Sequence, residues 1–227
     1  MLDWSTIDTV LLDMDGTLLD LRYDNHFWNE QLHLHYAQVH QTSPDLAAER
    51  LQAEFAAVAG TLDWYCLEYW QQRLRLPIRD LKRETTHLIQ LREDTQAFLE
   101  GLQAAGKQVA LITNAHPDAL ALKNEYTPLA QLCPTQFSTH EFGFCKEFQE
   151  LWQALHTRFP FNPERTLFID DGEHILDSAR KFGIRYTVGI ANPDSGLPDK
   201  QFHRHPAIYH FDELNLAGFS ADVHGKN

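Results

Sequence analysis

The sequence has few cysteines, glycines and prolines. Its three cysteines, Cys66, Cys133 and Cys145, are far apart and form no C-x-x-C pair. An odd number of scattered thiols suggests neither a disulfide framework nor a zinc cluster. The 11 glycines and 10 prolines among 227 residues, together with 43% hydrophobic residues, are typical of a folded globular protein and exclude a collagen-like or disordered chain.

Positive charge and long apolar runs are also scarce. The 19 lysines and arginines are outnumbered by 32 aspartates and glutamates, which gives a formal net charge of −13. We therefore expect no binding to nucleic-acid polymers or anionic membranes, because both are negatively charged. No apolar run approaches the ~18 residues of a membrane span, and the acidic N-terminal segment does not resemble a signal peptide. A cytoplasmic protein is expected, and the oligomeric state stays open.

Alternating strand and helix patterns predict the fold class. Buried strands are expected at residues 7–12, 108–112, 166–169 and 185–190, with a weaker candidate at 136–139. Helical patterns occupy residues 95–105, 147–158 and 173–182. Such alternation predicts an α/β protein with a Rossmann-like parallel sheet.

Residues 20–87 interrupt this alternation, because they carry helix signals and no convincing strand. Ser43 and Pro44 are typical of a helix N-cap and first turn, and a further helix is expected over residues 62–74. We therefore predict an all-helical cap domain at residues 20–87, inserted into an α/β core formed by residues 1–19 and 88–227.

Four aspartates follow predicted strands, at the sheet edge where open α/β proteins bind ligands. Asp13 and Asp15 follow the first strand and start on the same side of the extended chain. Two such carboxylates repel each other unless a cation neutralises one or one keeps its proton, conditions that suit a nucleophile beside a general acid. Asp170 and Asp171 follow a later strand and suit Mg²⁺. Solvated aspartates in turns are the alternative.

Thr113, Asn114 and Lys146 are candidate phosphate-binding residues. Thr113 and Asn114 end the second strand, where a hydroxyl, an amide and free backbone N–H groups could bind phosphate oxygens. Lys146 is expected to begin a helix, and a cation is unfavourable there unless an anion compensates it. A solvated surface lysine is the alternative for Lys146.

In chain order these residues resemble the four motifs of the haloacid dehalogenase superfamily: Asp13-Met14-Asp15-Gly16-Thr17, Thr113, Lys146 and Asp170-Asp171. The inserted helices resemble the helical cap of that superfamily. Within it, residues 12–18, 25–29 and 142–146 are most similar to phosphatases of the purine nucleoside monophosphates GMP and IMP. One departure is Glu147, since many capped members have proline after the motif lysine.

The resemblance implies a Mg²⁺-dependent phosphatase that acts through an aspartyl-phosphate. It implies Asp13 as nucleophile and Asp15 as general acid and base. It also implies phosphate contacts from Asp13, Asp15, Thr113, Asn114 and Lys146, and Mg²⁺ ligands among Asp13, Asp15, Asp170 and Asp171. The expected partner is a small purine nucleotide.

Other functions stay open at this point. A phosphatase or mutase of small sugar phosphates would use the same residues, and a non-catalytic module could bind a phosphorylated ligand without turnover. The presence of both Asp13 and Asp15 favours catalysis, and superfamily members that displace halide lack an acid at the position of Asp15. Phosphonate cleavage would need a cap lysine, of which Lys82 is the only one in residues 20–87.

The inserted segment is rich in aromatic residues, which could stack on a purine base. Trp28 is the first candidate for this contact because it follows closely on the catalytic loop. The alternative is that the rings pack the segment's own core, as the helical spacing of Trp64, Leu67 and Trp70 favours.

Overall fold

The computed structural model of the protein describes residues 2–216. The strands of this part are β1 (Thr9–Leu12), β2 (Gln108–Thr113), β3 (Gln136–Ser138), β4 (Thr166–Asp170), β5 (Tyr186–Ile190) and β6 (Ala207–Ile208). They form one six-stranded sheet in the order β3-β2-β1-β4-β5-β6, and every neighbouring pair is parallel. The predicted α/β fold with a Rossmann-like parallel sheet is confirmed. Sequence reasoning missed β6, which is too short to show a pattern.

The centre of the sheet positions the loops that carry the candidate site. Every residue of β1 and of β4 is buried, as expected for parallel strands covered on both faces. In the strand register, Leu12 lies opposite Leu111 of β2 and Ile169 of β4. The chain therefore leaves β1, β2 and β4 at the same edge of the sheet.

Helices surround the sheet and fill the segment between β1 and β2. In the described chain they are α1 (Arg22–His26), α2 (Leu32–Val39), α3 (Pro44–Val58), α4 (Leu62–Tyr65), α5 (Leu67–Leu74), α6 (Ile78–Arg83), α7 (Thr95–Ala104), α8 (Pro117–Tyr126), α9 (Leu129–Leu132), α10 (Gln149–Arg158) and α11 (Glu173–Phe182). A π-helical turn, Phe27–Gln31, joins α1 to α2. None of these helices is long and apolar enough to cross a membrane.

The helices α1–α6 and the turns that join them, here called the inserted helices, share an apolar core to which Ala119 of α8 also belongs. Phe27, Leu51 and Trp70 are fully buried in it, and Trp28 and Trp64 are partly buried against it. The helical cap of the predicted fold class is thus present, while its exact limits at residues 20–87 stay a prediction. The apolar residues of the sheet form separate clusters.

Local signals explain most of the inserted helices. The Ser43 hydroxyl accepts the N–H of Leu46 and caps α3, and Pro44 opens that helix as predicted. The single helix predicted over residues 62–74 is wrong, because Cys66 adopts an extended backbone (φ −84°, ψ 114°) that separates α4 from α5.

The helix predicted to begin beside Lys146 starts later than expected. Its first residue is Gln149, because Phe148 has extended backbone and its N–H closes a turn onto the carbonyl of Cys145. Lys146 therefore lies in a turn before α10, and a helix dipole does not act on it directly.

Candidate active site

Lys146 joins the carboxylates that follow β1 and end β4. Its Nζ lies 2.5 Å from Asp13 Oδ1 and 2.6 Å from Asp170 Oδ2. All three side chains are buried, so the interpretation of Lys146 as a solvated surface residue is wrong. Burial alone would lower the pKa of Lys146, but the two carboxylates raise it, so the side chain is an ammonium at neutral pH.

Asp13, Asp170 and Asp171 form an acidic cluster. Each offers one carboxylate oxygen, and these oxygens lie within 4.8 Å of one another. Burial raises the pKa of Asp13 to about 7 and also raises the pKa of Asp170, although Lys146 opposes both shifts. Lys200 binds Asp171 at 2.6 Å. Hard oxygen donors with a surplus of negative charge fit a divalent cation such as Mg²⁺.

The side chain of Asn114 positions Lys146 by binding the backbone N–H of Lys146. The Asn114 Oδ1 accepts the N–H of Lys146 at 2.9 Å, and its Nδ2 donates to Glu147 Oε2 at 3.1 Å. Thr113, the last residue of β2, is buried, and its hydroxyl accepts the N–H of Ala115 at 3.0 Å. Thr113 and Asn114 thus lie beside Lys146, the third candidate phosphate-binding residue that the sequence indicated.

Asp15 lies outside the acidic cluster and is paired with a different lysine. Lys123 Nζ lies 2.5 Å from Asp15 Oδ1 and 2.6 Å from Asp24 Oδ2, and Lys82 Nζ lies 2.9 Å from Asp24 Oδ1. Burial raises the pKa of Asp15 to about 7 in spite of Lys123. Burial would also raise the pKa of Asp24, but Lys123 and Lys82 hold it well below its usual range. The assignment of Asp15 as a Mg²⁺ ligand stays a prediction.

Sequence reasoning missed Lys123 and Asp24. Lys123 lies on α8, a helix that was not predicted, and a single lysine on a helix has no local pattern that marks it as buried. Asp24 reads from the sequence as an ordinary acidic residue in the first turn of α1. A buried Asp15 requires a nearby positive charge, and this requirement is the one signal that could have pointed to these residues. The sequence does not identify which lysine supplies the charge.

Glu147, at the position where many capped members have proline, makes contacts that a proline could not make. Its carboxylate accepts hydrogen bonds from Tyr65 of α4 at 3.0 Å and from Asn114 at 3.1 Å. Burial alone would raise the pKa of Glu147, but hydrogen bonds, those from His174, Cys145 and Tyr65 among them, lower it to about 2. A single carboxylate therefore links an inserted helix to the end of β2.

Replacing Glu147 by alanine should destabilise the protein at neutral pH. We expect the free energy of unfolding to fall by about 2 kcal/mol at pH 7, because hydrogen bonds to a charged group are lost. The folded-state pKa is below the unfolded one, so this contribution is present above about pH 4.5 and is lost as the pH falls toward 2. Urea unfolding from pH 7 to pH 3 measures it, with the exposed Glu49→Ala as control. A pH-independent difference would contradict this explanation.

A cavity of about 300 Å³ lies over the candidate catalytic residues. The acidic cluster, Asp15, Thr113, Asn114 and Lys146 all line it. Three aromatic residues of the inserted helices, Trp28, Trp64 and Tyr65, also line it. A cavity with charged groups and aromatic rings suits a ligand that has both a phosphate and a flat apolar part.

Trp28 belongs both to the cavity and to the core of the inserted helices. Its ring is stacked near that of Trp64, with centroids 6.1 Å apart and planes at 30°, and meets Phe55 and Trp70 edge to face. The two interpretations of Trp28 from the sequence are therefore both consistent with its position. Trp70 is fully buried and does not line the cavity.

Comparisons with known proteins agree with this arrangement. A family model described as a haloacid dehalogenase-like hydrolase matches residues 7–183. Proteins named GMP/IMP nucleotidase YrfG from Escherichia coli (strain K12) and Shigella flexneri are each 48% identical over 211 residues, covering 93% of this chain and 95% of the relative. The crystal structure of a HAD phosphatase from Thermococcus onnurineus has a TM-score of 0.77 at 20% identity, covering 93% of this chain and 98% of that one. At this identity the structural likeness shows the fold alone.

Proposed function

The chain belongs to the haloacid dehalogenase-like hydrolase family, and we propose that it hydrolyses purine nucleoside 5′-monophosphates such as GMP and IMP. The chain is a phosphatase of this family, and the choice of nucleotide is the proposed part. The observation that supports it best is the cavity, in which Asp13 and Lys146 lie together with Trp28, Trp64 and Tyr65. The 48% identity to the two nucleotidases supports the same substrate class.

Asp13 is the proposed nucleophile. A carboxylate oxygen of Asp13 attacks the phosphorus, the bond from phosphorus to the ribose oxygen breaks, and the phosphoryl group is carried as an aspartyl-phosphate. Lys146, 2.5 Å from Asp13, offsets negative charge on the transferred group. Asn114 holds the backbone of Lys146 and so keeps the ammonium in place.

The acidic cluster would hold Mg²⁺, which when bound supplies positive charge against the charges of the phosphate and of the nucleophile. Thr113 and Asn114, at the end of β2, are proposed to bind phosphate oxygens. Both residues line the cavity together with Lys146, which supports this proposal.

Asp15 is the proposed acid and base. It protonates the leaving ribose oxygen and then takes a proton from the water that hydrolyses the aspartyl-phosphate. Lys123 binds Oδ1 of Asp15, and we therefore assign the proton transfer to Oδ2. The sequence of events returns Asp13 and Asp15 to their starting states, with nucleoside and inorganic phosphate as products.

Lys123 and Lys82 offer a matched pair of variants for the role of Asp15. Both lysines bind Asp24, but only Lys123 also binds Asp15. Each change to methionine should cost about 3 kcal/mol of stability, because it leaves buried carboxylate charge less well paired. Lys123→Met should also lower kcat by about 100-fold, because a positioned acid and base contributes about 10²-fold to 10⁴-fold. Lys82→Met should keep a kcat close to that of the parent enzyme, but its KM should change, because Lys82 lines the cavity and lies 5.3 Å from the centre of the Trp28 ring.

Steady-state kinetics below the Tm of both variants measures this difference. An equal loss of kcat in the two variants would mean that the effect passes through Asp24, which both lysines bind, and not through the contact of Lys123 with Asp15.

Base recognition is proposed for the aromatic lining of the cavity, with Trp28 as the first residue to test. Trp28→Leu should raise the KM for GMP and IMP by roughly tenfold or more, because stacking on a base contributes about 1–3 kcal/mol. Hydrolysis of ribose 5-phosphate should be almost unchanged, since this compound has the same leaving oxygen and no base. Phosphate release with the three substrates measures the effect.

Phe55→Leu is the control, because Phe55 packs on Trp28 with ring centroids 5.9 Å apart and does not line the cavity. It should lower the Tm and leave the ratio of kcat/KM between GMP and ribose 5-phosphate unchanged. If Trp28→Leu also left this ratio unchanged, Trp28 would be a packing residue only. A parent enzyme that prefers ribose 5-phosphate to both nucleotides would favour the alternative of a sugar-phosphate phosphatase.

A further inference from the structure

A second group of metal-binding side chains lies beside the cavity and apart from the acidic cluster. Cys66 separates α4 from α5, His116 precedes α8, and His140 lies in the 3₁₀ turn after β3. One ligand atom of each residue, a sulfur and two ring nitrogens, lies within 4.8 Å of the other two. The three residues are distant in the sequence, so the fold brings them together.

Glu68, in the first turn of α5, lies beside Cys66 and His116 and is the proposed fourth ligand. Its Oε2 lies 2.6 Å from His116 Nε2 and 3.8 Å from Cys66 Sγ. Its Oε1 is bound by Arg79, which holds the carboxylate in this orientation. We call Cys66, Glu68, His116 and His140 the thiol–imidazole cluster.

One ring nitrogen of His140 has no hydrogen-bond partner in the described part of the chain. Its Nε2 is buried and accepts or donates no hydrogen bond among the described residues, although buried polar atoms are nearly always paired. A buried ring nitrogen that has no hydrogen-bond partner and lies next to a thiol is a typical ligand for a transition metal.

The donor set selects the class of ion. One sulfur, two imidazole nitrogens and one carboxylate oxygen suit Zn²⁺ and chemically similar ions, which take four such ligands in tetrahedral sites. Mg²⁺ prefers oxygen ligands alone and is not expected here. His116 also lines the cavity, so an ion can reach the cluster from the cavity.

We propose that the thiol–imidazole cluster binds one Zn²⁺-class ion, separate from the acidic cluster, and that this ion inhibits turnover. Cys66 and Glu68 belong to the inserted helices, whereas His116 and His140 follow β2 and β3. A bound ion therefore ties together the two parts of the chain that line the cavity. Exchange of substrate and product through the cavity then becomes slower.

Binding of the ion changes the protonation of both Cys66 and His116. The Cys66 thiol releases its proton to solvent and the sulfur binds as a thiolate. At present His116 Nδ1 accepts the N–H of Asp118 at 3.1 Å, so Nε2 carries the ring proton. When Nε2 binds the ion, Nε2 releases this proton and Nδ1 takes one up from solvent. Nδ1–H then donates to the carboxylate of Asp118, 3.7 Å away, and the backbone N–H of Asp118 gives up its hydrogen bond to Nδ1.

Co²⁺ tests the site in the full-length protein, because a cobalt–thiolate bond has a charge-transfer absorption that oxygen ligands do not produce. The metal-stripped protein is titrated with Co²⁺ in excess Mg²⁺, and we expect this absorption to saturate at one Co²⁺ per chain. Cys66→Ser should abolish it, and Cys133→Ser, which removes a buried thiol elsewhere, should retain it. His140→Gln should weaken Co²⁺ binding by at least about 100-fold, since loss of a ligand exceeds the 10–100-fold cost of losing its support.

Zn²⁺ in excess Mg²⁺ should raise the Tm and lower kcat in the parent enzyme and in Cys133→Ser, but not in Cys66→Ser. The site would be overturned if the parent protein showed no thiolate absorption or if Cys66→Ser kept it. Equal inhibition by Zn²⁺ in the parent and in Cys66→Ser would overturn the inhibitory role. The Co²⁺ titration uses no substrate, so its result is independent of the proposed nucleotidase activity.

Discussion

An Asp13→Asn enzyme is expected to lose hydrolysis of every phosphate monoester by at least about 10⁴-fold, because loss of the attacking group costs up to about 10⁶-fold in enzymes with a covalent step. An amide oxygen in place of the carboxylate cannot form the aspartyl-phosphate. Phosphate release and acid-trapped phosphoenzyme measure the two consequences. Both should fall to background with GMP and with a small aryl phosphate alike.

The fold of this variant should survive. Asp13 is a buried carboxylate whose pKa burial raises to about 7, so a neutral amide is not costly at this position. Lys146 keeps its contact with Asp170. A Tm close to that of the parent would therefore separate loss of chemistry from loss of folding.

Asp15→Asn is the matched variant for the second role. It should still form some phosphoenzyme from an aryl phosphate, whose leaving group needs little protonation, while turnover of GMP falls by about 10²-fold to 10⁴-fold. Trapped phosphoenzyme in Asp13→Asn would exclude Asp13 as the nucleophile. Turnover of GMP at the parent rate in Asp15→Asn would exclude Asp15 as the acid.

The sheet and its polar loops could be predicted because their signals are local. Each central strand is a short apolar run that ends in polar residues, and parallel pairing then places Asp13, Thr113 and Asp170 at one edge. The helix over Glu173–Phe182 was also predicted, because a glycine after a helical pattern is a local stop signal. In the structure Gly183 ends this helix with a left-handed backbone (φ +114°). These features can be predicted without knowing which distant residues contact each other.

The charge partners could not be predicted, because they depend on contacts between distant segments. Lys123 meets Asp15 across 108 residues of sequence, and Lys82 meets Asp24 across 58. Glu147 reaches Tyr65 across 82 residues. The sequence shows that each of these residues is a lysine or a glutamate. Only the folded structure shows which distant side chain each of them contacts.

Removal of divalent cations should abolish activity, and Mg²⁺ should restore it. The acidic cluster already holds three carboxylates against Lys146 and Lys200, and a phosphate dianion adds two further negative charges. A bound cation supplies several kcal/mol of charge stabilisation in the transition state, where each 1.4 kcal/mol is about tenfold. We therefore expect a loss of at least about 10³-fold after EDTA treatment, measured as phosphate release from GMP.

Two substitutions place this effect in the acidic cluster. Asp171→Asn should raise the Mg²⁺ concentration for half-maximal activity by about 10-fold to 100-fold, and should weaken the Mg²⁺-induced rise in Tm. Asp177→Asn, on α11 and paired with the exposed Arg204 outside the cavity, should change neither measurement. Full activity of the parent enzyme in EDTA would exclude a role for the cation, and Lys146 with Lys200 would then have to offset the charge of the phosphate by themselves. Two lysines against three carboxylates leave a net negative charge in the acidic cluster before the phosphate binds, which argues against that outcome.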